Sequence, residues 1–447
     1  MIRKAYEIFT EVTRDGAYAN LALKKGLAGT DAQEAGRVTA LVYSATEHIS
    51  YADFLIDHYK KGRLHGSIRN VLRLSVTELL FMDRPDHAVC SEGVELTRAI
   101  GKSALTGVVN GILRNIARDN AAGKLPPLPE EPAERLSVKY SVPRFMAEEY
   151  LKEYGPEFTE DLLSARLHNL TVRAQYPFTT AELEAALDAL RIAHRRGSYD
   201  ENALILPEGA DVASMPLFRE GKMTVQSESA MLVCRACRVQ DGMRVLDTCA
   251  APGGKTCCLS SLMRGTGSIT ALEVHPHRTE LLAATARRLG VQNVRAITAD
   301  AADPAKMAEL FPESAEKFDV VLVDAPCSGL GGGSKPDALL NRTEKDIETL
   351  AALQRRLLDN AAKFVKPGGA LVYSTCTVSK RENADNANRF LAYHPDFTAE
   401  PLDFLIPGRN AEGEKGEDPF LQLFPNRDGL DGFFIARFIK KDGTRQK

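Results

Sequence analysis

The chain opens on a helical pattern of apolar positions and changes its periodicity twice along its length. Ala5, Ile8, Phe9 and Val12 recur at helical spacing, as do Val71, Leu72, Val76, Leu79 and Leu80. Val89, Val94, Leu96 and Ile100 continue the pattern, followed by Val108, Val109, Ile112, Leu113 and Ile116, with Asp83-Arg84-Pro85-Asp86 as a break. No alternating run competes with it, so an all-α domain of about five to seven helices is predicted from typical helix lengths. Residues 119–133 then hold four prolines, which stop a helix and read as a semi-rigid linker. From roughly 134 to 225, short helical stretches mix with possible strands at Thr171–Ala174 and Ala203–Leu206, which suggests a small α+β domain.

From residue 226 onward, short apolar runs alternate with helical stretches. Arg244–Asp247, Ser268–Glu273, Val294–Ala299, Phe318–Asp324 and Ala370–Ser374 read as strands of a parallel sheet covered on both faces. Leu421–Phe424 and Phe433–Ile439 suit a terminal hairpin at one edge. The predicted architecture is therefore multidomain: an all-α segment over 1–125, a linker and small α+β domain over 126–225, and an α/β domain over 226–447.

Composition adds little to this outline but excludes several classes. The length of 447 residues suits two to four domains, and 57 Lys and Arg against 60 Asp and Glu leave a net charge of −3, so no global basic field marks a nucleic-acid binder. The first 118 residues nevertheless carry 16 Lys and Arg against 13 Asp and Glu, so the positive charge is concentrated in the helical segment. No run approaches the roughly 18 apolar residues of a membrane span. The N-terminus, Met1-Ile2-Arg3-Lys4-Ala5-Tyr6-Glu7, is acidic where a signal peptide would be apolar, so a cytoplasmic protein is expected, with no membrane partner. Eight cysteines in a chain this long do not form a disulfide scaffold. Cys234 and Cys237 form a CxxC without a second one, which suits two packed helix residues better than a zinc site, and no metal is expected.

The candidate chemistry sits where the strands end, which is where open α/β sheets bind ligands. After the first strand comes Asp247-Thr248-Cys249-Ala250-Ala251-Pro252-Gly253-Gly254-Lys255-Thr256, whose two glycines let a backbone approach a ligand at a helix start. It matches neither GxxxxGK[ST] nor GxGxxG, so a phosphate cradle is disfavoured. Glu273 ends the second strand, where a carboxylate can accept both hydroxyls of a ribose, and Asp300 follows the third, within reach of an adenine amino group. Gly loop, acid and acid at successive strand ends is the layout of a nucleoside-bearing cofactor site, against the plainer reading that both acids only cap helices. The fourth strand ends in Asp324-Ala325-Pro326-Cys327-Ser328-Gly329 and the fifth in Ser374-Thr375-Cys376-Thr377, so two thiols and a carboxylate converge on the same edge. Buried structural cysteine is the usual explanation for one such residue, less so for two beside a cofactor pocket.

These segments closely resemble the bacterial 16S rRNA cytosine-C5 methyltransferases of the Sun/Fmu (RsmB) type, which use S-adenosyl-L-methionine. The likeness extends to Val225–Met231 and Asp431–Ala436. In the first domain, Asn70–Met82, Pro85–Val89 and Val109–Arg114 resemble the family's NusB-like RNA-binding domain. The resemblance implies a Rossmann-like methyltransferase domain in which Cys376 attacks carbon 6 of cytosine, Cys327 assists elimination, and Asp324 bonds the N3/N4 edge. Cys249, Ala250, Ala251, Pro252, Gly253, Gly254, Lys255, Glu273, Asp300 and Asp324 would hold the cofactor, with Lys255 near the reacting centre. Carbon 5 of cytosine is a poor nucleophile until a thiolate adds at carbon 6 and makes the ring enamine-like, which explains a need for thiols. The target base must leave its stack, so a loop cytosine is expected. The partner implied is RNA, 16S rRNA or a small-subunit assembly intermediate, acting on a monomeric enzyme. The basic run Lys60-Lys61-Gly62-Arg63-Leu64-His65 with Arg69 and Arg73 is a candidate RNA contact or a solvated face, with His194-Arg195-Arg196 a lesser one.

Two stretches depart from the family pattern. Leu330–Leu340 has three glycines, Gly331, Gly332 and Gly333, and only Lys335 where the family carries paired arginines; the small domain has Arg173-Ala174-Gln175 in place of Arg-x-Asn. Both are expected to touch RNA positioning rather than methyl transfer. Other readings are a tRNA or 23S rRNA methyltransferase, a DNA-type enzyme with Cys327 as nucleophile, or a non-catalytic RNA-binding or assembly factor.

Overall fold

The computed structural model describes residues 1–167, 169–312, 317–331, 342–407 and 419–442. The expected role of Gly332, Gly333 and Lys335 lies outside the described residues.

The backbone gathers into two compact units, with the division after Ser164. The first unit begins with seven α-helices: α1 (Ile2–Asp15), α2 (Ala19–Gly26), α3 (Ala32–Glu47), α4 (Ile49–Tyr59), α5 (Gly66–Phe81), α6 (Asp86–Ala99) and α7 (Thr106–Ala121). The starts of two follow from capping: Asp31 accepts from the N–H groups of Gln33 and Glu34, and the His65 ring accepts from Ser67 N. Helix α5 runs through the middle, with Ile68, Val71, Leu72, Leu74 and Val76 all fully buried. Gly93 permits close packing of α5, α6 and α7, because a Cβ there would lie 2.9 Å from both Leu113 Cδ1 and Ser75 Oγ. The proline-rich stretch carries no helix or strand between Ala121 and Pro132. Beyond it, α8 (Pro132–Tyr140), α9 (Arg144–Tyr154) and α10 (Pro156–Ser164) fall in the first unit, where Ser141 Oγ accepts from Ser50 N at 3.1 Å. The stretch 126–225 is thus split between the two units, its helices up to Ser164 in the first and its strands, with the helix Thr180–Ala189, in the second.

The second unit opens with an antiparallel sheet of β1 (Leu170–Ala174), β2 (Arg195–Arg196), β3 (Leu204–Leu206) and β4 (Met223–Val225), in the order β2-β3-β1-β4. A larger sheet follows, built from β5 (Arg244–Asp247), β6 (Ser268–Glu273), β7 (Val294–Thr298), β8 (Phe318–Asp324), β9 (Val365–Thr375), β10 (Phe397–Ala399), β11 (Leu421–Gln422) and β12 (Phe434–Lys440). Its order is β10-β12-β9-β8-β5-β6-β7, with β11 paired to β12. Strands β5 to β9 are parallel and β12 is antiparallel to β9. The apolar runs are continuous because both faces are covered. Val321, Val323, Leu371 and Tyr373 enter one core with Leu357 and Phe390. Val320, Leu322 and Val372 enter the other with Leu232, Val233 and Leu259. The expected terminal hairpin forms, but it does not end the sheet: β12 lies between β9 and β10, and the short β10 covers it. From β5 the chain winds outward to β6 and β7 on one side and to β8 and β9 on the other. That reversal opens a crevice at the carboxyl ends of β5 and β8.

Candidate active site

The loop after β5 is pinned from several directions. Thr248 donates through N and Oγ1 to Leu322 O at 3.0 Å, and Ala250 N donates to Leu272 O at 2.9 Å. Gly253 has φ +105°, and a Cβ there would lie 2.8 Å from Leu282 Cδ1, so only glycine fits before the helix Gly254–Leu262. Arg173 and Gln175 of the small sheet approach this helix rather than solvent. Arg173 Nη2 donates to Gly254 O at 3.4 Å, and Gln175 Nε2 to Cys257 O at 3.5 Å. The departure from Arg-x-Asn therefore falls on residues that brace the helix behind the loop.

A cavity of about 230 Å3 opens at the crevice. Of the residues expected from the sequence, Cys249, Ala251, Glu273, Asp300, Asp324, Cys327 and Cys376 line it, together with Val274, Arg278, Pro326, Leu353 and Leu357. Ala250, Pro252, Gly253, Gly254 and Lys255 lie off its lining: Ala250 and Gly253 are buried, Pro252 is exposed, and Gly254 and Lys255 are half-buried. Burial pushes the Cys249 thiol well up, which keeps it protonated. Both acids also make the local bonds of the plainer reading. Glu273 Oε1 accepts from His275 N at 3.0 Å and its Oε2 pairs with Arg278 Nη1 at 3.1 Å, while Asp300 Oδ1 accepts from Ala302 N at 2.8 Å. Arg278 also donates to Ala251 O at 3.0 Å, so one guanidinium ties the glycine loop to the acid after β6. Nothing in the sequence singled it out.

Strands β8 and β9 pair with Asp324 opposite Ser374, and this register brings the two cysteine loops side by side. Cys327 Sγ and Cys376 Sγ are 3.2 Å apart, far beyond the ~2.05 Å of a disulfide, and both are free thiols. Cys376 N also donates to Cys327 Sγ at 3.3 Å. Cys327 holds its proton well above the ordinary thiol range, first through its hydrogen bond to the Cys376 sulfur, then through burial. Asp324 Oδ2 pairs with Lys255 Nζ at 2.7 Å and Oδ1 accepts from Ser374 Oγ at 2.8 Å. Burial works against the Lys255 charge, but the Asp324 carboxylate outweighs it and holds the ammonium above its usual range. The same ammonium lies 5.2 Å from the centre of the Phe433 ring.

Behind the thiols stands a buried polar network that the sequence reading missed. Glu382 accepts from Ser328 N at 2.9 Å, from Ser328 Oγ, and from Gln354 Nε2 at 2.9 Å. Gln354 also donates to Pro326 O at 2.9 Å, and Ser328 Oγ meets Thr377 Oγ1 at 3.0 Å. Asn383 Nδ2 holds Thr377 O at 2.9 Å. Together these bonds tie the Pro-Cys loop and the Thr-Cys-Thr loop to fixed partners. Gly331 closes the set: its N–H donates to Cys376 O at 3.1 Å and its carbonyl accepts from Gly432 N. A Cβ on Gly331 would run into both neighbours, so this glycine serves close packing. Among the described residues no three His, Cys, Asp or Glu side chains gather as metal ligands, and no helix is long and apolar enough to cross a membrane.

Part of the basic run of the first unit is neutralised by two acids of α4, while Lys61 and Arg63 are exposed and form no ion pair among the described residues. Lys60 pairs with Asp57 at 2.6 Å, Arg69 with Asp53 and Asp57 at 2.9 and 2.6 Å, and Arg73 with Asp53 at 2.5 Å. Arg196 is likewise paired with Glu184.

A family model described as 16S rRNA methyltransferase RsmB/F matches residues 235–439, and one described as NusB family matches residues 3–118. The chain is 35% identical over 450 residues to the probable ribosomal RNA small subunit methyltransferase B of Bacillus subtilis (strain 168), with 98% of each covered. It is 34% identical over 380 residues to the ribosomal RNA small subunit methyltransferase B of Shewanella oneidensis, which covers 83% of this chain and 82% of that one. Among solved structures, that titled "Crystal Structure of PH0851" aligns with a TM-score of 0.80 at 26% identity, covering 98% of this chain and 99% of that one.

Proposed function

The chain belongs to the 16S rRNA methyltransferase RsmB/F family, with a NusB-family segment at its N-terminus, and from that premise we propose that it methylates carbon 5 of a loop cytosine in small-subunit rRNA through a covalent adduct on Cys376. The observation that carries this reading is the 3.2 Å contact between two free thiols at the cavity edge, with Asp324 on the same lining. S-adenosyl-L-methionine, the methyl donor of the family, supplies the electrophilic methyl group. Cys249, Ala251, Glu273 and Asp300 line one cavity, and the two acids present the acceptors a ribose and an adenine require, so the residues fit such a donor.

The thiol pair divides the labour. The two sulfurs lie within hydrogen-bond distance, so a proton held between them stabilises a thiolate on one, and the family motif assigns that thiolate, the nucleophile at carbon 6, to Cys376. Addition places negative charge on the N3 side of the ring. Asp324 accepts from the exocyclic amino group, and the Lys255 ammonium beside it offsets the developing charge. Carbon 5 then takes the methyl group. Once the Cys376 sulfur is bonded to carbon, it no longer holds the Cys327 proton, and the main cause of the raised Cys327 pKa is gone. Cys327 loses its proton to solvent at the cavity mouth and, as the thiolate, removes the carbon-5 proton; the electron pair re-forms the C5–C6 double bond and the C6–S bond breaks, releasing the Cys376 thiolate.

The test uses each cysteine in turn. Cys376→Ser should form no adduct with RNA, whereas Cys327→Ser should form the adduct with unmodified RNA and accumulate it, because release is blocked. A denaturing gel of the protein with labelled small-subunit rRNA transcript reads both. The opposite assignment, with adduct lost only in Cys327→Ser, would refute the proposed roles. Bisulfite sequencing of total rRNA with and without the gene tests the target: an rRNA in which no cytosine changes state removes the small-subunit assignment.

A further inference from the structure

We propose that Cys327 and Cys376 are also a peroxide-reactive dithiol, a site of reversible oxidation at which hydrogen peroxide joins the two sulfurs and switches methyl transfer off. The disulfide rests on geometry alone; its effect on activity rests on the reading of Cys376 as the nucleophile. Both side chains line the cavity of about 230 Å3, so an oxidant little larger than water reaches them. The sulfurs stand 3.2 Å apart, and the ~2.05 Å of a disulfide requires them to close by only about 1.1 Å. Cys376 N already donates to Cys327 Sγ at 3.3 Å, so one sulfur lies against the backbone that carries the other. Glu382, Gln354 and Asn383 hold both loops, which leaves side-chain rotation to close the gap.

The other thiols do not share these conditions. Cys90, Cys234, Cys237, Cys257 and Cys258 are buried, and Cys249, the third cysteine on the cavity, is kept protonated by its burial. Cys258 lines a separate cavity and shares a hydrogen bond with Cys234, so a bond between those two is the rival product. In the first step the Cys376 thiolate attacks one peroxide oxygen: an S–O bond forms, the O–O bond breaks, and hydroxide leaves as water with the Cys327 proton. The Cys327 thiolate then attacks the Cys376 sulfur; the S–S bond forms, the S–O bond breaks, and a second hydroxide leaves as water. Its proton comes from solvent, which received one when Cys376 ionised. The thiols lose two electrons and peroxide gains them, giving one disulfide and two waters. Ring closure competes with a second peroxide, which would carry Cys376 to the irreversible sulfinic acid. A resolving thiol at 3.2 Å therefore preserves the nucleophile, and a dithiol reductant restores it by exchange.

The experiment treats the full-length protein with hydrogen peroxide in modest excess and blocks the remaining thiols with an alkylating reagent. Non-reducing peptide mapping by mass spectrometry then reads the linkage, and a parallel sample without alkylation is tested for adduct formation with labelled small-subunit rRNA transcript. In the parent protein the Cys327 and Cys376 peptides should be joined, and adduct formation should fall by about tenfold and return on adding dithiothreitol. Cys327→Ser keeps Cys376 but lacks the resolving thiol. The same peroxide should leave its Cys376 as the sulfinic acid, and dithiothreitol should not restore its adduct. Absence of a Cys327–Cys376 link in the parent would overturn the proposal, as would a Cys234–Cys258 link in its place. Recovery that is equal in the parent and in Cys327→Ser would also overturn it, because Cys327 would then resolve nothing. A Cys327–Cys376 link that forms while adduct formation persists would instead refute Cys376 as the nucleophile, and with it the switch. The mapping needs no activity, so failure of the dithiol and failure of the catalytic reading are told apart.

Discussion

Asp247 offers a sharp test of the electrostatics around the cofactor loop. The side chain is fully buried at the end of β5, and its Oδ2 accepts from Thr256 Oγ1 at 2.7 Å. Burial is the main cause that lifts its pKa from 3.8 to about 7; the Thr256 bond opposes this, and the nearby Asp324 charge adds to it. The native state therefore binds one more proton than the unfolded chain between about pH 4 and pH 7. Stability falls as pH rises through that window, by about 1.4 kcal/mol per unit and about 4 kcal/mol in total. Asp247→Asn is neutral throughout and lacks this term. Urea unfolding followed by far-UV circular dichroism, since the chain has no tryptophan, should be run on both proteins from pH 5 to pH 8. The parent should lose about 3 kcal/mol relative to the variant over that range, and all other titrating groups cancel in the difference. A difference that changes by less than about 1 kcal/mol would refute the reasoning, because it would mean that the carboxyl is ionised in the native state across the whole range.

Further outcomes follow from the same geometry. Glu382→Gln places an amide against donors from Ser328 and Gln354, and one mispaired buried donor costs about 1–3 kcal/mol; adduct formation should slow by about 10- to 100-fold. Donor affinity should stay within about twofold by equilibrium dialysis, since one mispaired donor behind the thiols leaves the nucleoside acceptors in place. A loss of donor affinity instead would place the network's role elsewhere. Glu273→Gln keeps the side-chain volume but gives up the charge that would accept ribose hydroxyls. It should weaken S-adenosylmethionine binding by about 1–2 kcal/mol, measured by calorimetry, while the single-turnover rate at saturating donor changes little. An unchanged binding constant would leave Glu273 as no more than the partner of Arg278.

Much of the catalytic unit was legible because its strands are buried on both faces. Val320 to Val323 and Leu371 to Tyr373 had to be apolar in sequence, and what followed them stood out by contrast. The thiols, the carboxylate and the glycine loop are therefore visible as residues at strand ends. Shorter elements were not: β2, β4 and β10 span two or three residues each and carry too little pattern to register. Glu382 and Gln354 gave no signal either, since a buried polar residue is unusual only once its burial is known.

Sequence alone thus determined the helical start, the succession of the parallel strands along the chain and the residue types at their ends, because each of these is a property of neighbours along the chain. The tertiary structure decided which charges cancel, as Asp53 does for Arg69 and Arg73, and how closely two sulfurs 49 residues apart approach. The physical reason is that apolar periodicity is set by burial, residue by residue, whereas Coulomb and hydrogen-bond energies depend on distances that exist only after distant segments have packed.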